Sequence, residues 1–136
     1  MVEHRSNNRR KSGEIIAPDG VNIWPHELRT ARSLAEAGYI VEFIKKSEFD
    51  RETSADVLID NEKWEFKAPN GGKPSLVEKN LRRGARQCNQ IVFDSHRVKQ
   101  IPDKVLMREL TKWSAEIKGI KKLWFVNRHK EIIDIK

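Results

Sequence analysis

Apolar residues recur with two different periods along this chain, and the switch between them lays out its elements. From Pro25 to just before Gly38 the spacing is helical. Leu28, Ala31, Leu34 and Ala35 share one stripe with Glu27, while Arg29, Arg32 and Glu36 fall mostly outside it. Proline suits the first helical position and glycine the stop. A strand over 39–44 follows directly. After a polar stretch over 45–54, two β-rich runs, 55–59 and 62–68, flank Asp60-Asn61 and read as a hairpin. Pro69-Asn70-Gly71-Gly72 breaks the chain, and Ser75 with Glu78 gives a capping-box signature that opens a helix to about Cys88. Residues 91–94 form a short apolar strand, and 102–118 a helix carried by Val105, Leu106, Leu110, Trp113 and Ile117, stopped near Gly119. Strands over 123–126 and 131–135 close the chain. The order is helix, three strands, helix, strand, helix, two strands, which predicts an α/β domain whose mixed sheet is flanked by helices.

Length agrees with one core: 136 residues make one ordinary domain. Residues 1–13 are polar, basic and aperiodic, so a flexible basic lead-in is expected there and the domain over 14–136. No apolar run nears the roughly 20 residues of a membrane span, and the charged start lacks the apolar region of a signal peptide, so no membrane partner is expected. Cys88 is the only cysteine. It excludes an internal disulfide and a cysteine-based zinc site, and it points to a reducing compartment.

The net charge of +7 is unevenly spread. Residues 14–66 hold 6 basic and 12 acidic side chains, 67–86 hold 6 and 1, and 97–136 hold 11 and 5. An acidic half followed by a basic half suggests gathered carboxylates beside a surface for a polyanion, although charge alone fits a solvated surface as well.

The hairpin gives this asymmetry a chemical form. A turn centred on Asp60-Asn61 pairs Ile59 with Glu62, Val57 with Trp64, Asp56 with Glu65 and Ser54 with Lys67. Asp56 and Glu65 then share one face with Cβ atoms about 5 Å apart, and Lys67 follows on that face. Like charges directly opposite destabilise a sheet, and a hard divalent cation held between them removes the repulsion. Lys67 at the rim of such a site can position a water or neutralise charge developing on a phosphorane oxygen. Glu27 points inward from its helix, where an unpaired carboxylate is costly. A capping role for it is disfavoured, because the N-cap would be Trp24, which has no side-chain oxygen. The bland alternative is an ordinary exposed face on which these charges are neighbours.

Beyond the hairpin, Lys79, Arg82, Arg83 and Arg86 recur at helical spacing as one cationic stripe, a track for a phosphate backbone, bordered by Asn80 and Gln87. Leu81, Gly84, Ala85 and Cys88 form the opposing small apolar face. Trp24 is able to stack on an unpaired base, yet core is the safer expectation for it, as for Trp64, Trp113 and Trp124. The histidines show no metal-ligand spacing. His26 adjoins Glu27 and His96 follows the strand ending at Asp94, where an imidazole can act as an acid, although exposed histidines are usually bystanders.

Glu27 in Pro25-His26-Glu27, Asp56, and Glu65-Phe66-Lys67 together resemble the signature of PD-(D/E)xK nucleases. The wider string resembles the C-terminal tRNase domain of contact-dependent growth-inhibition toxins of the CdiA type. It comprises Pro25-His26-Glu27, Gly38 at a strand entry, Asp56-Val57, Trp64 to Lys67 with Asn70-Gly71, and Gln87 with the strand 91–94, and it spans roughly residues 14–135. The resemblance implies a restriction-endonuclease-like core and a metal-dependent endoribonuclease that cuts tRNA and is neutralised by a dedicated immunity protein. Glu27, Asp56, Glu65 and Lys67 take the catalytic places. The chain begins with Met1 and carries no delivery region, so it is expected to be an excised or free-standing form of such a domain.

The expected chemistry is hydrolysis. Asp56 and Glu65 hold a divalent metal, foremost Mg²⁺ with Mn²⁺ or Zn²⁺ as alternatives, Glu27 completes the shell or orients a water, and Lys67 stabilises charge. The substrate is tRNA in the cytoplasm, that of a target cell if the domain is delivered. The rival expectations are a DNA endonuclease of the same fold and a non-catalytic RNA-binding module.

Overall fold

The structure, a computed structural model, describes residues 13–45 and 56–136. The lead-in expected over 1–13 therefore lies outside the described residues apart from Gly13, as do residues 46–55 with Ser54 and Ala55. In chain order the elements are β1 (Glu14–Ile16), α1 (Pro25–Glu36), β2 (Ile40–Phe43), β3 (Val57–Ile59), β4 (Glu62–Lys67), α2 (Leu76–Gln87), β5 (Gln90–Asp94), α3 (Asp103–Glu116), β6 (Lys122–Val126) and β7 (Ile132–Asp134). The described strands lie in one sheet in that same order. β1 and β2 are parallel, β2, β3 and β4 form an antiparallel meander, β4, β5 and β6 run parallel, and β7 returns antiparallel. Parallel neighbours need a crossover, and each parallel step has its helix: α1, α2 and α3.

The mixed α/β domain expected from the sequence is thus present, with one added strand. β1 is too short for a period to announce it. Its entry depends on Gly13, whose N–H donates to Ala35 O at 2.7 Å and where a Cβ would collide with the Tyr39 backbone. Helix α1 ends before Gly38, as expected. Gly38 is left-handed at φ 99°, and Gly38 N and Tyr39 N donate to Ala35 O and Leu34 O, which closes the helix with a Schellman motif. The capping box expected of Ser75 and Glu78 does not form. Ser75 is itself in the helical region (φ −61°, ψ −15°) and makes no side-chain cap bond, and Glu78 instead accepts from Arg82.

Two cores sandwich the sheet. Ala31 and Leu34 of α1 pack on Val41, Phe43, Val57, Ile59, Trp64, Phe66, Val92 and Val126. On the other face Val77, Leu81, Leu106 and Leu110 of α2 and α3 pack on Ile91, Phe93, Leu123 and Phe125. Strand pleating explains the division, since successive residues of β5 and β6 alternate between the two clusters. No helix among the described residues is long and apolar enough to cross a membrane.

The hairpin has the expected register, Val57 with Trp64 and Ile59 with Glu62. Asp60 and Asn61 both adopt positive φ (48° and 72°), the requirement of a tight two-residue turn whose twist suits the strands. Asp60 also ties the turn to β2, accepting from Ile40 N through Oδ1 and donating its own N–H to Ile40 O, each at 2.9 Å.

Candidate active site

Lys67 ends β4 and Asp94 ends the parallel strand beside it. The carboxyl ends of parallel strands are where α/β sheets leave a crevice. Here a cleft of about 330 Å³ opens, lined by Trp24, His26 and Glu27 at the start of α1, Asp56, the run Glu65 to Pro69, Asn80 of α2 and Arg97. Glu27, Asp56, Glu65 and Lys67 all line this one cleft.

Because Trp64 and Phe66 belong to the core under α1, Glu65 and Lys67 project toward α2. Glu65 is only 4% exposed, an expensive position for a carboxylate without a cation or donors nearby. Lys67 supplies the cation, its Nζ 3.4 Å from Glu65 Oε2. The lysine stem runs beneath Gly84 of α2, where a Cβ would lie 3.5 Å from Lys67 Cε and 3.0 Å from Ile91 Cδ1. The tight contact of such a Cβ is with Ile91, and the one with the lysine stem is an ordinary van der Waals contact.

Asp56 departs from the simple cross-strand pair. Its N–H donates to Trp64 O at 3.1 Å, although Trp64 is already the partner of Val57, so two residues oppose one as in a β-bulge. The carboxylate swings along β4, and Oδ2 accepts from Phe66 N at 3.0 Å. β4 runs on past the last pair it makes with β3, and Asp56 satisfies an amide that the shorter strand no longer reaches. Asp56 and Glu65 therefore share the cleft without facing each other in the ladder.

Glu27 corrects the expectation about its capping role. Its Oε1 accepts from Trp24 N at 3.0 Å, and its own N–H donates to Trp24 O at 3.0 Å. This half of a capping box needs only the backbone of the N-cap residue, so the lack of an oxygen on Trp24 is no obstacle. Asp56 and Glu65 offer hard oxygen donors, the set a largely hydrated divalent cation takes. Among the described residues, no three acidic, imidazole or thiol groups are gathered closely enough to enclose a metal ion by themselves.

The wall at the end of β5 is polar and tightly held. Asp94 is 1% exposed; its Oδ2 accepts from Thr30 Oγ1 at 2.7 Å and its Oδ1 from His96 N at 3.0 Å. Arg97 Nε donates to Ala68 O at 2.8 Å, which places a guanidinium on the cleft. The His26 pKa lies below its usual 6.5, because of burial first and then the proximity of Arg97 and His96, with Asp56 opposing.

The cationic stripe of α2 divides. Lys79, Arg82, Arg83 and Arg86 are all exposed, but they differ in their partners. Arg82 turns to α3, its Nε 2.9 Å from Glu78 Oε2 and its guanidinium 5.7 Å from the Trp113 ring centre. Asn80 lines the cleft and donates to Leu76 O, whereas Gln87 turns inward, with Oε1 shielded from solvent and without a hydrogen-bond partner among the described residues. Trp24 overturns its expected core placement: it is 66% exposed. Arg97 was missed altogether. The only signal for it is its place just after a strand ending in a parallel sheet, which becomes legible once the strand order is known.

A family model described as the contact-dependent growth inhibition CdiA C-terminal domain matches residues 52–132, more than half of the chain. Among solved structures, a chain of the "CdiA-CT/CdiI toxin and immunity complex from Burkholderia pseudomallei" is similar with a TM-score of 0.65 at 18% identity, over 91% of this chain and 99% of that one. At that identity the likeness is one of fold. A comparison with curated proteins gives no match.

Proposed function

This chain belongs to the contact-dependent growth inhibition CdiA C-terminal domain family, and we propose that the growth-inhibiting activity of this toxin domain is metal-dependent hydrolysis of phosphodiester bonds in tRNA. The observation that carries this reading is the convergence of Asp56, buried Glu65 and Lys67 on one cleft. Two carboxylates and an amine at the C-terminal end of a strand are the parts of a PD-(D/E)xK centre, and we read the domain as one of that superfamily.

Asp56 and Glu65 would hold a divalent cation, Mg²⁺ or a similar hard ion, which when bound supplies an activated water and neutralises phosphate charge. The Lys67 ammonium, now beside Glu65 Oε2, is placed to donate to a phosphate oxygen as negative charge builds there. Asp56 is held in position by the Phe66 amide and Glu27 by the Trp24 amide, so Glu27 acts here by fixing the start of α1 at the cleft and orienting water. Arg97 and Asn80 on the walls, with Lys79, Arg83 and Arg86 on the exposed side of α2, supply donors for the substrate's phosphates. The fold neighbour is a complex of toxin and immunity protein. By extension this domain has a dedicated immunity protein and acts in the cytoplasm of a target cell.

The test is a gel of total tRNA, beside duplex DNA, treated with wild type and Asp56→Asn, with Mg²⁺ and with EDTA. Asparagine can still accept from Phe66 N, so the fold should persist. Cleavage of tRNA that needs both Mg²⁺ and Asp56, with no cyclic phosphate on the products, is the expected result. Cyclic-phosphate ends formed in EDTA would overturn the hydrolytic mechanism, and cleavage confined to DNA would overturn the substrate.

A further inference from the structure

We infer that the Trp24 indole, backed by the His26 imidazole, is a stacking platform that takes one unpaired nucleobase of the strand whose phosphate enters the cleft. The inference rests on the nuclease reading and narrows its substrate to strands with an unstacked base at the site of cleavage.

Trp24 stands apart from the other tryptophans. Trp64 is 1% exposed in the core, Trp124 packs between Tyr39 and Trp64 with ring centres 4.9 and 4.2 Å away, and Trp113 is flanked by Arg82 and Lys112. Trp24 is 66% exposed and lines the cleft with Glu27, Asp56, Glu65 and Lys67. Its backbone is nevertheless fixed. Trp24 N donates to Glu27 Oε1, and Trp24 O accepts from Glu27 N and Leu28 N, each at 3.0 Å. The His26 ring lies 6.5 Å away with its plane 23° from parallel, within the range of aromatic pairs. A large apolar ring held out in water by a rigid helix start contributes nothing to the core of this fold. The groups around it choose the ligand. Lys67, Arg97 and Asn80 line the same cleft and offer cationic and amide donors for a phosphate, so a flat ring joined to a phosphate, a nucleotide, matches both parts of the cleft.

Stacking on an aromatic side chain is sequence-tolerant but requires a base outside its helix, and it strengthens binding by about 5- to 100-fold per base. A base inside a duplex stays stacked on its neighbours and gains nothing. The platform therefore discriminates between strands by pairing state.

The experiment measures binding of a short unstructured RNA and of the blunt duplex of the same sequence in EDTA, to wild type, Trp24→Ala and Trp24→Phe, together with indole emission. Trp24→Ala should bind the single strand about 5- to 100-fold more weakly and the duplex unchanged. Trp24→Phe should keep most of the affinity. The single strand should quench wild-type emission, and that quench should vanish in Trp24→Phe. Equal losses on both RNAs, or no loss on either, overturn the platform. Absence of tRNA cleavage by wild type, with single-strand selectivity dependent on Trp24 intact, would overturn the nuclease reading alone. Cleavage by wild type with selectivity indifferent to Trp24 would overturn this inference alone.

Discussion

Two parts of the cleft are built on opposite principles. Glu65 is almost entirely out of water and Lys67 runs beneath Gly84 to pair with it, so charge is held by packing. Trp24 is two-thirds exposed, and its backbone is held by the first turn of α1. A largely buried ion pair is costly to assemble and cannot shift without leaving a charge unpaired, which suits groups that must meet a reacting phosphate in one geometry. An exposed ring on a rigid stem gives up little on binding, which suits recognition. The contrast assigns chemistry to the Glu65–Lys67 pair and selection to Trp24.

The strongest way to break this division is to remove the half-buried Lys67 amine. Lys67→Ala should lower the tRNA cleavage rate by about 10²- to 10³-fold, since it removes a donor aimed at developing charge. Affinity for a single-stranded oligonucleotide, measured in EDTA, should change much less. A loss confined to affinity would reverse the assignment of the two parts.

Packing over that amine is the next lever. Gly84→Ala sets a methyl 3.0 Å from Ile91 Cδ1 and 3.5 Å from Lys67 Cε. The crowding falls on Ile91, and the Lys67 stem meets the methyl only in ordinary van der Waals contact, so cleavage should slow less than about tenfold. Melting should move little, because alanine's gain in a helix, about 1 kcal/mol, offsets much of the crowding. Unchanged turnover with a large loss of stability would mean that Gly84 serves the core and not Lys67.

On α2 the comparison predicts unequal arginines. Arg83→Ala should weaken RNA binding a few-fold and lower the slope of log affinity against log salt by about one. Arg82→Ala should change that slope less, because Arg82 is already occupied by Glu78 and Trp113. Identical slopes would restore a single undivided stripe.

The smallest effect belongs to His26. Its folded pKa is lowered below 6.5, chiefly by burial, so between that lower value and 6.5 the unfolded chain binds the proton more readily. Stability from this group is complete above 6.5 and is lost as the pH falls through the lowered value. Its imidazole resonances should titrate below pH 6.5, and His26→Gln should flatten the melting temperature over that window. A midpoint at or above 6.5 would contradict the burial.

Much of this molecule is local, and local features are written in the order of residues. Pro25 and Gly38 bound α1, and Asp60-Asn61 sets the register that places Val57 opposite Trp64, because caps and turns depend on neighbours within a few positions. The same register puts Glu65 and Lys67 on one side of β4, so these two groups of the cleft were legible from period alone. Tertiary structure decided what depends on a strand's end or on a distant partner. Asp56 turns its carboxylate to the Phe66 amide where β4 runs past its last pair with β3, and Arg82 is drawn to Trp113 on another helix. Trp24 and Arg97 reach the cleft only because α1 begins, and β5 ends, at the same rim of the sheet. Periodicity reports which side of an element is apolar; it carries no information on which elements meet at their ends, and the Trp24 and Arg97 part of this cleft is made of such meetings.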